Sequence, residues 1–257
     1  MLIGACTREA MLDQPYSEWF IRNYRDYKVD SFIANELSLL ARQYQFTIFL
    51  GTWCGDSRRE VPRMLKILDF CKVPASNVKL IMVDSHTDYY KQSPQHEEAG
   101  LNIFRVPTMI ISKKKTEIGR IIEYPVQSLE RDMLSIIKSE PYVPRYRAAQ
   151  FFLKSLPNTS VKSDAAWMET LKPLAQHRSE MNTVGYMLLA SKKNESALQA
   201  FRINVLLYPQ DINAYNSLAE AYLISKDTSS ARSLMQKPVA VDSANTETKN
   251  LLKRMNG

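Results

Sequence analysis

The chain has 257 residues, enough for one large or two small domains, and its 45% hydrophobic content with only 7 glycines marks it as globular and helix-rich. Its formal net charge of +7 divides into +1 over residues 1–140 and +6 over residues 141–257. Three cysteines make no disulfide framework and three histidines no zinc site, so no cofactor or metal is expected; no run reaches the ~20 apolar residues that span a bilayer; and no aromatic-plus-basic motif points to nucleic acid.

The basic second half reads as a solvated charged face, and His86 and His96 as exposed loop histidines. At the start of the chain, Ile3-Gly4-Ala5-Cys6 resembles the end of a bacterial lipoprotein signal, in which the cysteine is lipidated and becomes the mature N-terminus. The basic n-region and long apolar stretch of such a signal are missing. Two readings stay open for residues 1–14: a signal remnant whose true start lies upstream, or a chance match. The first puts the protein in the cell envelope, periplasmic and lipid-anchored through Cys6. The second leaves a cytoplasmic location.

Residues 15–43 carry apolar side chains at helical spacing: Trp19, Phe20, Tyr24 and Tyr27, then Phe32, Ile33, Leu37 and Leu40, with Asp30 or Ser31 as the cap of a second helix. Phe46–Leu50 is a β-branched and aromatic run, the pattern of a buried strand. Val61, Met64, Leu65, Leu68 and Cys71 form the stripe of the next helix, and Val78–Val83 is a second strand followed by a polar stretch, Asp84–Gln95. Thr108–Ser112 and Glu117–Glu123 read as an antiparallel hairpin turning at Lys113–Thr116, and Ser128–Ser139 as a closing helix. This order predicts an α/β sheet with helices on both faces and a parallel crossover between the first two strands.

Pro141, Pro144 and Pro157 punctuate a helical connector over residues 141–180. Beyond it, at an offset of 34, Val184 matches Leu218, Gly185 matches Ala219, Leu188 matches Tyr222, Ala197 matches Ala231 and Phe201 matches Met235. Small residues allow close helix approach and large ones fill the gaps, so residues 181–257 resemble tetratricopeptide repeats, with Asn250–Met255 starting a capping helix. Pro238, where such a repeat carries a small helical residue, departs from the pattern. A general helical hairpin is the alternative.

The chemistry concentrates in Thr52-Trp53-Cys54-Gly55-Asp56-Ser57, between a strand and a helix. A thiol at a helix N-terminus faces backbone N–H groups and the positive end of the macrodipole, which favour the reactive thiolate. Trp53-Cys54-Gly55-Asp56-Ser57 resembles the Trp-Cys-Gly-x-Cys site of the thioredoxin superfamily, and Val106-Pro107-Thr108 its cis-proline segment. Asp84 after the second strand and Gly119 in the last strand add to the match. The resemblance implies a thioredoxin-like mixed sheet with flanking helices over residues 15–140, followed by the helical array. It also implies roles: Cys54 as nucleophile toward a disulfide; Trp53, Gly55, Asp56, Val106, Pro107 and Thr108 around the substrate; and an extended substrate pairing with the Val106 backbone.

The departures from that family are specific. Ser57 replaces the resolving cysteine, and Ile48 stands where thioredoxins carry a buried acid. Cys71, 17 residues on along a helix, would lie roughly 25 Å away, too far for a disulfide, and reads as core. The expected activity is therefore monothiol thiol–disulfide exchange through Cys54 and Ser57, on a protein disulfide or thiol. An external thiol would resolve the intermediate, and a protein partner would dock on the repeats. A redox-inactive adaptor is the alternative, and Cys54-Gly55-Asp56-Ser57 also resembles the site of monothiol glutaredoxins, which implies glutathione or an iron–sulfur cluster. Ser57-Arg58-Arg59-Glu60 has in addition the S-x-x-E form of a capping box, in which the serine merely starts the helix.

Overall fold

The computed structural model of the chain describes residues 1–156, 163–236 and 246–256, and divides into two compact units, Met1–Arg145 and Tyr146–Gly257. Pro157 and Pro238 lie outside the described residues.

In the first unit a five-stranded mixed sheet has the order β1 (Gly4–Cys6), β3 (Val78–Met82), β2 (Gln45–Leu50), β4 (Thr108–Lys113) and β5 (Thr116–Ile122). The central β2 runs parallel to β3, with Ile48 opposite Leu80, and antiparallel to β4, with Ile48 opposite Met109. β4 and β5 form the hairpin, whose two turn residues, Lys114 and Lys115, both have positive φ (50° and 66°). Two-residue hairpin loops of the primed type require that backbone, because only it follows the twist of the strands.

The N-terminal segment contributes a strand that the sequence reading lacked. β1 lies antiparallel on the edge beside β3, with Cys6 opposite Leu80. Three residues are too few to display alternation, so no periodicity announces the strand. The stretch read as helical over 15–43 is two helices, α1 (Ser17–Asp26) and α2 (Ser31–Ser38), with Asp30 capping α2 by accepting from the Phe32 and Ile33 amides. Phe32, placed on the apolar stripe by its spacing, is 85% exposed and contributes nothing to the core.

Alternation along the strands sorts the core into two clusters. Phe46, Ile48 and Leu50 of β2, Leu80 and Met82 of β3, and Met109 and Ile111 of β4 face one side, where they meet α1, α2, α3 (Gly55–Phe70) and α4 (Leu129–Lys138). Phe49, Ile81, Val83 and Ile110 face the other, where Ile103 and Val106 cover them. The helices predicted on both faces thus gather on one. The irregular segment around residues 101–106 covers the second face in their place, and it is this cover that meets the site. Gly119 of β5 is required by packing: a Cβ there would come within 2.7 Å of Ile136 on α4.

The second unit is helical among its described residues, running α5 (Arg147–Ser155), α6 (Asp164–Leu171), α7 (Glu180–Ala190), α8 (Asn194–Leu207), α9 (Ile212–Ile224), α10 (Thr228–Met235) and α11 (Thr246–Asn256). Neighbours in sequence from α7 to α10 pack on each other. Gly185 on α7 lies directly beneath Phe201 of α8, where a Cβ would come within 2.5 Å of the ring. Ala197, Ala219 and Ala231 are fully buried. Within this unit the buried Glu180 accepts from the Ala149 and Gln176 amides. Among the described residues no helix is long and apolar enough to cross a membrane.

Candidate active site

β2 delivers the chain to Gly51, and α3 begins four residues later at Gly55 with Cys54 as its N-cap residue. The short loop is tied down from both ends. The Cys54 amide donates to the Gly51 carbonyl at 2.9 Å, and the Arg58 amide donates to the Cys54 carbonyl at 3.0 Å. The Arg58 Nε donates to the Thr52 carbonyl at 2.6 Å. Ser57, with 0% exposure, accepts from the Gly51 amide through Oγ at 3.2 Å.

This geometry corrects the capping-box reading. The helix starts two residues before Ser57, and Glu60 binds Arg59 (2.6 Å) and Arg63 (3.3 Å). Ser57 is instead a clip between the first turn of α3 and the end of β2. A fully buried hydroxyl at that point satisfies an amide that would otherwise be unpaired.

Trp53 folds back over the strand end. Its Nε1 donates to the Val83 carbonyl at 3.0 Å, and its ring lies 6.3 Å from that of Tyr90. Gly51 makes this position available, since a Cβ there would sit 2.5 Å from the indole. Gly55 is different: a Cβ at that position meets no atom within 4 Å, so the surface over the first turn is open. Asp56 pairs with Arg59 at 2.7 Å, which largely cancels two charges beside the thiol.

The half-exposed Cys54 thiol donates from Sγ to the Val106 carbonyl at 3.2 Å. The Val106–Pro107 peptide bond is cis. The segment is anchored on its far side, where Thr108 Oγ1 donates to the Arg105 carbonyl (2.8 Å) and the Glu123 amide to the Pro107 carbonyl (2.6 Å). The structure thus brings Trp53, Cys54, Val106 and Pro107 together. Gly55 and Asp56 lie on the rim, and Ser57 and Thr108 turn their hydroxyls to the backbone. Val106 is 2% exposed and belongs to the second core cluster, on which Cys54 and Trp53 pack.

Residues 9–134 match the model of a protein family described as Thioredoxin. The first unit is a thioredoxin-like domain. No curated protein matches the chain.

Within the thioredoxin-like domain, the other two cysteines lie apart from the site. Cys71 is fully buried at the far end of α3, and burial pushes its thiol up to about 11. Cys6 is on the edge strand, its thiol also raised by burial. Ile48 is core. Among the described residues no group of three or more His, Cys, Asp or Glu side chains is arranged to hold a metal.

The sequence reading missed the polar and charged groups next to Tyr90, whose ring lies against that of Trp53. Lys91, Tyr90, Arg105 and Glu123 cluster there, with Lys91 only 4% exposed and Arg105 paired to Glu123 at 3.1 Å. Their one signal in the sequence is Tyr89-Tyr90-Lys91, two aromatics against a lysine inside a polar stretch.

Proposed function

We propose that the thioredoxin-like domain performs monothiol thiol–disulfide exchange through Cys54. The observation that carries this reading is a half-exposed thiol at a helix N-cap, bonded to the carbonyl before Pro107, with a serine where a second thiol would stand. The helix N-terminus and the open surface above Gly55 favour attack by a thiolate on a partner's disulfide.

In the forward step the Cys54 thiol releases its proton to water. The thiolate forms a bond to one sulfur of the substrate disulfide, the substrate S–S bond breaks, and the second sulfur leaves as a thiolate that takes up a proton. The product is a mixed disulfide on Cys54. Ser57 has no sulfur with which to displace the bound half, so an external thiol must attack it, returning Cys54 to the thiol and leaving a disulfide between that thiol and the substrate.

We further infer that α7–α10 are tetratricopeptide-like repeats that dock a protein partner. The 34-residue match and the close approach at Gly185 and Phe201 support this.

A second reading, a redox-inactive adaptor, draws support from Val106, which is nearly buried and whose carbonyl is already occupied by the thiol. One experiment separates the two. A Cys6→Ala/Cys71→Ala protein is incubated with a disulfide-containing peptide and its intact mass measured. One peptide adduct, mapped to Cys54, is expected; absence of an adduct under conditions that modify a free small thiol favours the adaptor.

A further inference from the structure

Lys91 is the most deeply buried cation around the site, and the chain makes special arrangements to keep it there. Its backbone adopts a left-handed conformation, φ 61°, which costs a non-glycine residue energy and persists only where the surroundings impose it. Two backbone bonds close the loop around it: the Lys91 amide donates to the Asp84 carbonyl, and the Asp84 amide donates to the Gln92 carbonyl, each at 2.9 Å. The Nζ then donates to the Phe104 carbonyl at 2.7 Å and to the Tyr90 hydroxyl at 2.8 Å.

The carbonyl of Phe104 holds Nζ, and that of Val106, two residues on, holds the Cys54 Sγ. The ammonium and the sulfur are thus fastened to neighbouring points of one short segment, in the protein interior, where charges act on each other more strongly than in water. The titratable and charged groups that act on Lys91 are Arg105, Cys54 and Glu123, while Tyr90 touches it directly. Burial pushes the ammonium down to about 7, Arg105 pushes the same way, and a negative Cys54 or Glu123 pulls it back up. Glu123 also pairs with Arg105, so the Cys54 thiolate is a counter-charge that appears only when the thiol ionises.

We propose that Lys91 is a positioning residue for Cys54, a buried ammonium that stabilises the thiolate from the Phe104–Val106 segment. This rests on the reading of Cys54 as an exchanging thiol. Lys91 forms and breaks no covalent bond. The thiol proton leaves to water through the exposed side of Cys54, and Lys91 holds its own proton more firmly while the thiolate persists. When the thiolate is consumed in a mixed disulfide, that hold relaxes. Coupling of this kind is reciprocal: each group shifts the other's titration by the same amount.

The test measures Cys54 alkylation rate against pH in the Cys6→Ala/Cys71→Ala protein, with Lys91 unchanged, Lys91→Met and Lys91→Arg. Lys91→Met should slow alkylation at pH 7 by about 3- to 10-fold and move the half-maximal pH upward. Lys91→Arg, which keeps the charge, should restore most of the rate. Equal losses in both variants, or no loss in a folded Lys91→Met, would overturn the proposal. Should Lys91→Met fail to fold, the intact chain gives the reciprocal readout: the Lys91 titration, followed by NMR of its Nζ or Cε, should lie lower in Cys54→Ser than in wild type, and coincident titrations would overturn the proposal. Mixed-disulfide formation is scored on the same samples. Wild type that forms none defeats the exchange reading and this proposal with it; wild type that forms one while Lys91 shows no coupling defeats this proposal alone.

Discussion

The Cys54 thiol donates to the Val106 carbonyl across 3.2 Å, joining the start of α3 to the segment before Pro107. That bond exists only while sulfur carries a proton. Ionisation of the thiol removes that donor from the Val106 carbonyl, so the protonation of the sulfur and the pairing of a backbone acceptor are linked.

Gly51 leaves no room for added volume beside Trp53. A methyl group there meets the Trp53 indole at 2.5 Å, and the ring must leave the strand end and its bond to Val83. Gly51→Ala is expected to cost about 1–3 kcal/mol, as overpacking does. Its intrinsic fluorescence should shift to the red as Trp53 gains water, which denaturation curves and emission spectra will check.

Ser57 separates structural from chemical contributions. Ser57→Ala removes the acceptor of the Gly51 amide and leaves a buried donor unpaired, an expected loss of about 1–3 kcal/mol in urea unfolding. Ser57→Cys places a second thiol three residues after Cys54. It should let a mixed disulfide on Cys54 resolve internally and make the reduction of a protein disulfide catalytic, measured by turnover of an insoluble-product disulfide substrate.

Asn23 repairs a defect in α3. Pro62 inside that helix has no N–H for the carbonyl four residues earlier, that of Arg58, and Asn23 Nδ2 supplies the donor at 3.1 Å while also donating to the Trp19 carbonyl at 2.8 Å. Asn23→Ala should cost about 1 kcal/mol, and combining it with Pro62→Ala, which restores the helical bond, should recover most of that loss. A double-mutant cycle by chemical denaturation measures the coupling.

Lys91 predicts a pH dependence of stability. Burial and the Arg105 charge lower its folded value to about 7 from an ordinary 10.5, so between these limits the unfolded chain binds more protons. The contribution of Lys91 to stability is complete above pH 10.5 and is lost as pH falls through 7. Tyr90 and Glu123 are displaced the opposite way, both raised by burial, so their contributions to stability fall as pH rises. In a Cys54→Ser background, Lys91→Met should compare most favourably with its parent near pH 6 and progressively less so toward pH 10. Urea unfolding at pH 6, 8 and 10 gives the comparison, and a constant difference would contradict it.

The sheet was legible where residues act locally. The β-branched run at Phe46–Leu50 and the apolar run from Val78 signal buried strands because burial of both faces leaves little room for polar residues. Trp53-Cys54-Gly55 and Val106-Pro107 were legible as motifs. Three things were not. Phe32 obeys the helical period yet faces solvent, since spacing says which residues share a face but not what covers it. Ser57 carries the same pattern as a capping serine, and only the position of Gly51 shows that its hydroxyl clips the strand end. Lys91 sits among polar residues in a chain segment that reads as loop, and its burial depends on the Phe104 carbonyl 13 residues away.

Monothiol exchange at Cys54 predicts a definite fate for the isolated mixed disulfide in the Cys6→Ala/Cys71→Ala protein, followed by intact mass with and without an added small thiol. The adduct should persist in buffer alone and disappear in proportion to the external thiol, returning unmodified Cys54. An adduct that releases at the same rate without added thiol, or one that never forms at Cys54, would rule out monothiol exchange.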